Sequence, residues 1–356
     1  MQELNLDGMV TVRTEIGSEF WTTALPDDLV PPLWEKWNGV KRFFLSGSTA
    51  LAAVLDDITA IKSVKTAYLP SYCCHTMIEP FIVRGIAVEF YPVVWENGQL
   101  VQKIDVNKRC DIVLVMDYFG FVSAPLQLPQ GAIVIRDMTH SLFAVPQAAN
   151  YLFASLRKWG PVSGAAIACK AGSWNIPEPA KRNDEYLALR RQAYDLKAQF
   201  MGGEAVEKPE FLRLFSEAEE LLEHDYRGYQ ADADALRVAG ALTASASQRR
   251  TNAKILLNGI QGSNIVRPMF SHMGEKDVPL FVPVLVQNGM RDKLRKFLIE
   301  NEVYCPTHWP LSKLHAIDEE SRKIYDGELS LICDQRYDVD DMQREIDLIN
   351  KFCGSR

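Results

Sequence analysis

Residues 132–160 read AIVIRDMTHSLFAVPQAANYLFASLRKWG, and the fold turns on this stretch. It holds two short apolar runs, 132–136 and 150–155. The first stops at Asp137, with His140 three residues on; the second ends on Ser155, with Lys158 three residues further. Short runs rich in Ile, Val, Phe and Tyr and bounded by Gly, Asn or Asp are the mark of buried strands. Similar runs lie outward on both sides, at 42–46, 66–69, 87–91, 111–115 and 164–169. Helical patterns over 48–62 and 75–84 separate the first of them, which gives successive βαβ units and a mostly parallel sheet of seven strands.

In an open parallel sheet, ligands bind at the carboxyl ends of the strands, where helix N-termini also point. After the first strand come Ser46, Gly47, Ser48 and Thr49, with a helix expected from Ala50. Hydroxyls and unpaired N–H groups at a helix start suit an anion such as phosphate. Asp137 follows the fifth strand, and Lys158 follows the sixth. Taken singly, each has a plain explanation: an N-cap, a helix-capping carboxylate, a solvated Arg157–Lys158 pair. Together they place a phosphate cradle, a carboxylate and an amine on one rim, the set that pyridoxal phosphate requires.

Composition narrows the field. The chain has 356 residues, 47% of them apolar and 24% charged, as in an ordinary protein with ample core. Its formal charge of −7 speaks against a nucleic-acid surface. No stretch is long and apolar enough to span a bilayer, so no membrane partner is expected. Residues Met1 to Asp7 show neither a basic segment nor an apolar one, and no secretion signal is expected. Seven cysteines have no zinc-like spacing with the six histidines, so the expectation is a cytoplasmic chain without a metal. Vicinal Cys73 and Cys74 could form a reactive thiol pair, but with no evident charged partner a buried turn is the plainer reading.

The organisation expected is an N-terminal arm over 1–40 carrying Trp21, Trp34 and Trp37, a large lobe over 41–235 and a smaller lobe over 236–356. Residues 180–224 are charged and helical in period, and 231–258 read as another long helix. Strand-like segments at 279–286 and 329–333 and helices at 290–301 and 339–353 give the tail an α+β character.

The order of motifs resembles the DegT/DnrJ/EryC1/StrS aminotransferase family, within the aspartate aminotransferase fold group. Ser46-Gly47-Ser48-Thr49-Ala50-Leu51 resembles that family's phosphate turn. Leu69-Pro70-Ser71-Tyr72 with Gly85, the strand from Asp111 to Gly120, and Asp137-x-x-His140 follow in the family's order. Lys158 falls where the family's Schiff-base lysine belongs. Asp225-Tyr226-Arg227 resembles an Asn-Tyr-Arg segment offered to the phosphate by a neighbouring subunit, and Arg249-Arg250 follows at the family's interval. His308-Trp309-Pro310-Leu311 and Leu329-Ser330-Leu331 resemble the C-terminal motifs. There are departures as well. Asp225 replaces Asn, Cys74 occupies the position of an aromatic stacking residue, and Phe153 that of a serine.

The resemblance implies an α/β, three-layer, pyridoxal-phosphate transferase-like fold and a homodimer. The activity it implies is amino transfer, usually from glutamate, to a keto sugar nucleotide. Lys158, Asp137 and His140 would be catalytic. Gly47, Ser48, Thr49, Tyr72, Cys74, His75, Ser155 and Arg227 would help hold the cofactor, with Tyr72 or His75 covering its ring. His308 and Arg336 are read from their positions and not from the resemblance. His308, beside Trp309, would line the substrate cleft or form a core or rim aromatic pair. Arg336, beyond the last strand, would bind a substrate carboxylate unless it is a surface arginine beside Asp334 and Asp338. The alternatives are another reaction of the same cofactor, a lyase or a sugar dehydratase, and a non-catalytic binding protein on this fold. The intact set of Asp137, His140 and Lys158 speaks against the dehydratase, whose family members carry histidine in place of the lysine, and against the binding protein.

Overall fold

A computed structural model describes residues 14–23, 31–260 and 264–354. Much of the expected arm, including Met1 to Asp7, lies outside the described residues. The first half runs β1 (Ile16–Gly17), β2 (Val40–Phe44), α1 (Gly47–Thr59), β3 (Thr66–Pro70), α2 (His75–Ile82) and β4 (Ala87–Tyr91). A hairpin of β5 (Val93–Glu96) and β6 (Gln99–Gln102) follows, then β7 (Ile112–Met116), β8 (Ile133–Asp137), β9 (Tyr151–Ser155) and β10 (Ala166–Lys170). The second half contains α3 (Asp184–Met201), α4 (Lys208–Glu220), α5 (Ala233–Ala241), α6 (Ala246–Gly259), β11 (Val266–Pro268) and β12 (Val282–Val286). It ends with α7 (Arg291–Glu300), β13 (Val303–Tyr304), α8 (Glu319–Gly327), β14 (Glu328–Leu331) and α9 (Val339–Gly354).

Seven strands form the central sheet in the order β2-β10-β9-β8-β7-β3-β4. The five from β9 to β4 are parallel, and β10 is antiparallel to both of its neighbours. Every residue of β7 is buried, as expected of a central strand covered on both faces. All seven lie within two residues of the runs read from the sequence. A three-stranded antiparallel sheet, β11-β12-β14, carries the C-terminal part. One apolar cluster links both sheets, from Leu114 and Tyr91 to Leu256, Val284 and Ile346.

Several helices differ from expectation. α1 starts at Gly47 rather than Ala50, because Ser46 and Thr49 close a reciprocal capping box: the Thr49 N–H donates to Ser46 Oγ at 3.2 Å and the Ser46 N–H to Thr49 Oγ1 at 3.0 Å. The long helical stretch after 180 is a hairpin, α3 and α4, broken near Gly203, whose φ of +83° suits glycine. The next is α5 and α6, joined by a 3-10 turn over Leu242–Ser245. α1 is fixed on the sheet by buried Asp57, which accepts from Tyr151 Oη at 2.7 Å and from Lys170 Nζ at 2.6 Å.

Gly120 closes the turn after β7 with φ at +83°, and a Cβ there would sit 2.1 Å from the Val278 carbonyl oxygen. That obstacle is backbone and cannot rotate aside. Gly120→Ala is therefore expected to cost about 2 kcal/mol or more, from the strained φ and the clash together. A thermal unfolding midpoint equal to the parent's would refute this.

Candidate active site

The strand order brings the two turns of the opening stretch side by side. Thr139 locks them together: its Oγ1 accepts from the Ser155 N–H at 3.1 Å and its carbonyl from Trp159 Nε1 at 2.7 Å. Between them opens a cavity of about 430 Å³ at the carboxyl ends of β7, β8 and β9. Asp137 and His140 form one wall, and Ser155 and Lys158 the next. Gly47 and Ser48 of α1 and Cys74 and His75 at the start of α2 complete the floor. Trp309 lines one side, and Ser216, Glu219 and Glu220 of α4, with Glu223 just beyond it, line another.

Asp137 is 3% exposed, and its Oδ1 accepts from the Thr139 N–H at 2.7 Å. Burial pushes its carboxyl up to about 6, against the hydrogen bonds from Thr139. No cation pairs with it among the described residues. His140 is equally buried, and burial, followed by the charges of His308 and Lys158, holds its imidazole well below the usual range, so it is neutral. Trp309 stacks on it at 5.3 Å. Lys158 sits in the 3-10 turn after β9, exposed, with no hydrogen bond or ion pair among the described residues. Its neighbour Arg157, which also lines the cavity, is engaged, donating to Tyr186 Oη at 2.5 Å and Glu219 Oε1 at 2.7 Å.

The wall is made to receive something polar. His140 Nδ1 and Ser155 Oγ are buried without a partner, and buried polar groups are seldom left so. Gly47 lacks the Cβ that would stand 3.1 Å from Ser155 Cβ, which leaves the first N–H groups of α1 open beside that hydroxyl. An uncompensated carboxylate, an unpaired imidazole nitrogen, a hydroxyl beside a helix start and an unpaired amine fit the ring nitrogen, phenolic oxygen, phosphate and aldehyde of pyridoxal phosphate.

Of the residues singled out in the sequence, Gly47, Ser48, Cys74, His75, Asp137, His140, Ser155 and Lys158 meet at this cavity. Five do not. The Thr49 hydroxyl is consumed by the capping box, where it also donates to the Ser46 carbonyl at 2.8 Å. Tyr72 is fully buried behind Trp309, packed among Tyr118 and Tyr325, so Trp309 and not Tyr72 presents the aromatic face. His308 lies behind His140, its Nδ1 2.8 Å from Ser330 Oγ, which donates to the buried Glu328. Arg336 has every donor nitrogen engaged, on both Asp334 oxygens and the Glu19 carbonyl, and is roofed by Phe20 and Trp21. Arg227 is exposed and paired with Asp225 at 2.5 Å, away from this chain's own cavity.

Sequence reasoning missed Thr139 and the carboxylates at the end of α4, and it weighed Trp309 only as the neighbour of His308. Thr139 lies inside the Asp137–His140 motif, and a hydroxyl two residues after a strand-end carboxylate was the available signal. Nothing in the local pattern of α4 announces that its C-terminal end reaches the sheet.

No protein-family model matches the chain, and no curated protein matches it in sequence. Many solved structures match it in fold. Helicobacter pylori PseC, an aminotransferase of pseudoaminic acid biosynthesis, superposes with a TM-score of 0.61 at 11% identity, over 91% of this chain and 90% of that one. A DegT DnrJ EryC1 StrS aminotransferase from Brucella abortus gives 0.59 at 13% identity, over 90% and 88%. Spr1654 of Streptococcus pneumoniae, solved in its PLP form, gives 0.59 at 11% identity, over 88% and 87%. At such identities the likeness establishes the fold alone, the one these aminotransferases share. Among the described residues no helix is long and apolar enough to cross a membrane.

Proposed function

We propose that the chain is a pyridoxal-phosphate-dependent aminotransferase that moves an amino group from an amino acid, glutamate foremost, to a keto sugar nucleotide. The observation that carries this reading is the meeting of Lys158, Asp137 and His140 around one cavity on this fold. Bound there, the cofactor supplies a carbonyl carbon that joins to amines and a ring that withdraws electrons from the carbon losing its proton. Asp137 holds the proton on the ring nitrogen as its counter-charge. His140, neutral, offers Nδ1 to the phenolic oxygen. Ser155 Oγ, Ser48 and the first N–H groups of α1 hold the phosphate. Lys158 would be the attachment point through Nζ and, when free, the group that holds and moves a proton. Seven cysteines without a disulfide suit work in the reducing cytoplasm.

A spectral titration with a panel of amino acids tests the reading. Glutamate should convert the aldehyde form of the bound cofactor to the amine form, and 2-oxoglutarate should reverse it. Consumption of an amino acid without that conversion would favour a lyase, and a bound cofactor that no amino acid perturbs would favour a binding protein. Glu220 and Glu223 favour a second reading of the acceptor alone: carboxylates on the wall would repel a diphosphate and welcome a keto compound bearing an amine. Acceptor panels of both kinds, run after the glutamate half-reaction, separate the two.

The site is short of cations for a phosphate, because Arg157 is taken up by Glu219 and Lys158 is needed for chemistry. This supports a homodimer in which Arg227 of one chain reaches its neighbour's cavity. Mixing Lys158→Ala chains with Arg227→Ala chains, each inactive alone, should restore part of the activity in hybrid dimers. A fully active monomer in sedimentation would contradict the dimer.

A further inference from the structure

Cys74 immediately precedes α2, where its thiol gathers two neighbours. Thr76 Oγ1 donates to the sulfur at 3.2 Å, and His75 Nδ1 lies 3.9 Å from it. Cys74 and His75 both face the cavity that contains Lys158 and Asp137. His140 and Ser155, whose Nδ1 and Oγ are buried without a partner, line the same cavity and mark it as a place for a ligand. A sulfur flanked by an imidazole and a hydroxyl at a helix N-terminus is the setting in which thiolates form. Burial would raise the Cys74 thiol, but the hydrogen bonds from His75 and Thr76 outweigh it and hold the thiol below its usual range. The His75 imidazole is raised in turn, chiefly by its bond to Cys74. The other thiols contrast with this. Cys73, Cys169, Cys305 and Cys333 are buried, and burial pushes each of them up, as it does the half-buried Cys110.

We propose that Cys74 is a modification site, a thiolate that reacts with peroxide and small electrophiles entering the cavity, and that its modification closes the cavity to pyridoxal phosphate. With hydrogen peroxide, the sulfur attacks one oxygen and the O–O bond breaks. The sulfur gives up two electrons to become a sulfenic acid, and the departing hydroxide takes the His75 proton and leaves as water. With iodoacetamide, a carbon–sulfur bond forms and iodide leaves. Either product adds bulk to the cavity that Ser48 and Asp137 also line. The identity of the excluded ligand rests on the function proposed above; the reactivity of the thiol does not.

The test follows each cysteine by peptide mass spectrometry during iodoacetamide labelling of the cofactor-free chain near pH 7. Cys74 should label about tenfold faster than Cys110 and Cys353, and His75→Gln should remove most of that advantage. Circular dichroism matched to the parent ensures that the variant is folded, and Thr76→Val, which deletes the other donor, gives an independent slowing. Brief peroxide treatment should block Cys74 labelling and the uptake of pyridoxal phosphate together, and bound cofactor should protect Cys74. Labelling of Cys74 no faster than Cys110 would overturn the proposal, and so would unaltered cofactor uptake after complete Cys74 modification. If the untreated chain takes up no pyridoxal phosphate, the cofactor reading fails and the closure claim with it, while the labelling rates still decide the thiol.

Discussion

Lys158→Ala should abolish covalent attachment of pyridoxal phosphate and lower amino transfer by about 10³-fold or more, since it removes both the amine and the proton carrier. Borohydride reduction of the loaded parent followed by peptide mapping should place the label on the peptide containing Lys158 and on no other. The physical basis is local. Lys158 is exposed on a 3-10 turn with no hydrogen bond or ion pair of its own among the described residues. Its long-range attraction to Glu219 is a surface effect of little weight for folding. The variant should therefore unfold at the parent's temperature while losing its chemistry, which separates a reactive lysine from a structural one. Label on a different lysine, or near-normal turnover in Lys158→Ala, would remove the foundation of the proposed function.

The parts of the fold that were legible in the sequence are those governed by short-range rules. Strands β7 and β9 are buried along their whole length, so each appears as an apolar run closed by a polar residue, while β8 shows a shorter run, Ile133 to Ile135, before the buried Arg136 and Asp137. The residue that closes the run then falls at the sheet's carboxyl edge, which is why Asp137 and Ser155, with Lys158 three residues on, could be assigned to one rim before any coordinates. The β5–β6 hairpin escaped notice although Asn97-Gly98, with φ of +51° and +68°, is a strong turn signal. Its strands are too short to stand out from the neighbouring run. The α8 segment EESRKIYDG is polar almost throughout, and only Ser321, Ile324, Tyr325 and Gly327 turn inward.

The misplaced site residues share a different cause. Arg336 and His308 were assigned from their places along the chain, and such a place fixes where a backbone passes, not where a side chain points. Asp334, two residues before Arg336, captures its guanidinium through two bonds, at 2.8 and 2.7 Å. Such a local bidentate pair outcompetes a distant ligand. His308 is held back in the same way by Ser330 and Glu328, which lie on β14, a strand that approaches only in three dimensions. Trp309 is the complementary case: once His308 points inward, the next side chain is the one that faces His140.

Asp137→Asn should have opposite effects on the empty and the loaded chain. In the empty chain the carboxyl is raised to about 6, mainly by burial, from an ordinary value of 3.8. A raised carboxyl pKa means that the folded state resists ionisation. Below about pH 4 the group is protonated in both folded and unfolded chains and costs nothing, and the cost grows as pH rises towards and through 6. Asparagine removes that cost while its side-chain oxygen can still accept from the Thr139 N–H. The empty variant should thus match the parent near pH 4 and exceed it at pH 7–8 by about 3 kcal/mol at most. The loaded chain reverses the comparison, because the carboxylate then has a protonated ring nitrogen to neutralise and the amide cannot hold that proton. Turnover in Asp137→Asn should fall about a thousandfold, equivalent to ~4 kcal/mol of lost transition-state stabilisation. Denaturant melts of both chains at pH 4 and pH 8, with and without pyridoxal phosphate, read out the crossing. A variant less stable than the parent when empty at pH 8 would mark Asp137 as a structural cap, and so would one that turns over normally when loaded. A crossing in the expected direction is the signature of a carboxylate kept buried and uncompensated for the sake of its ligand.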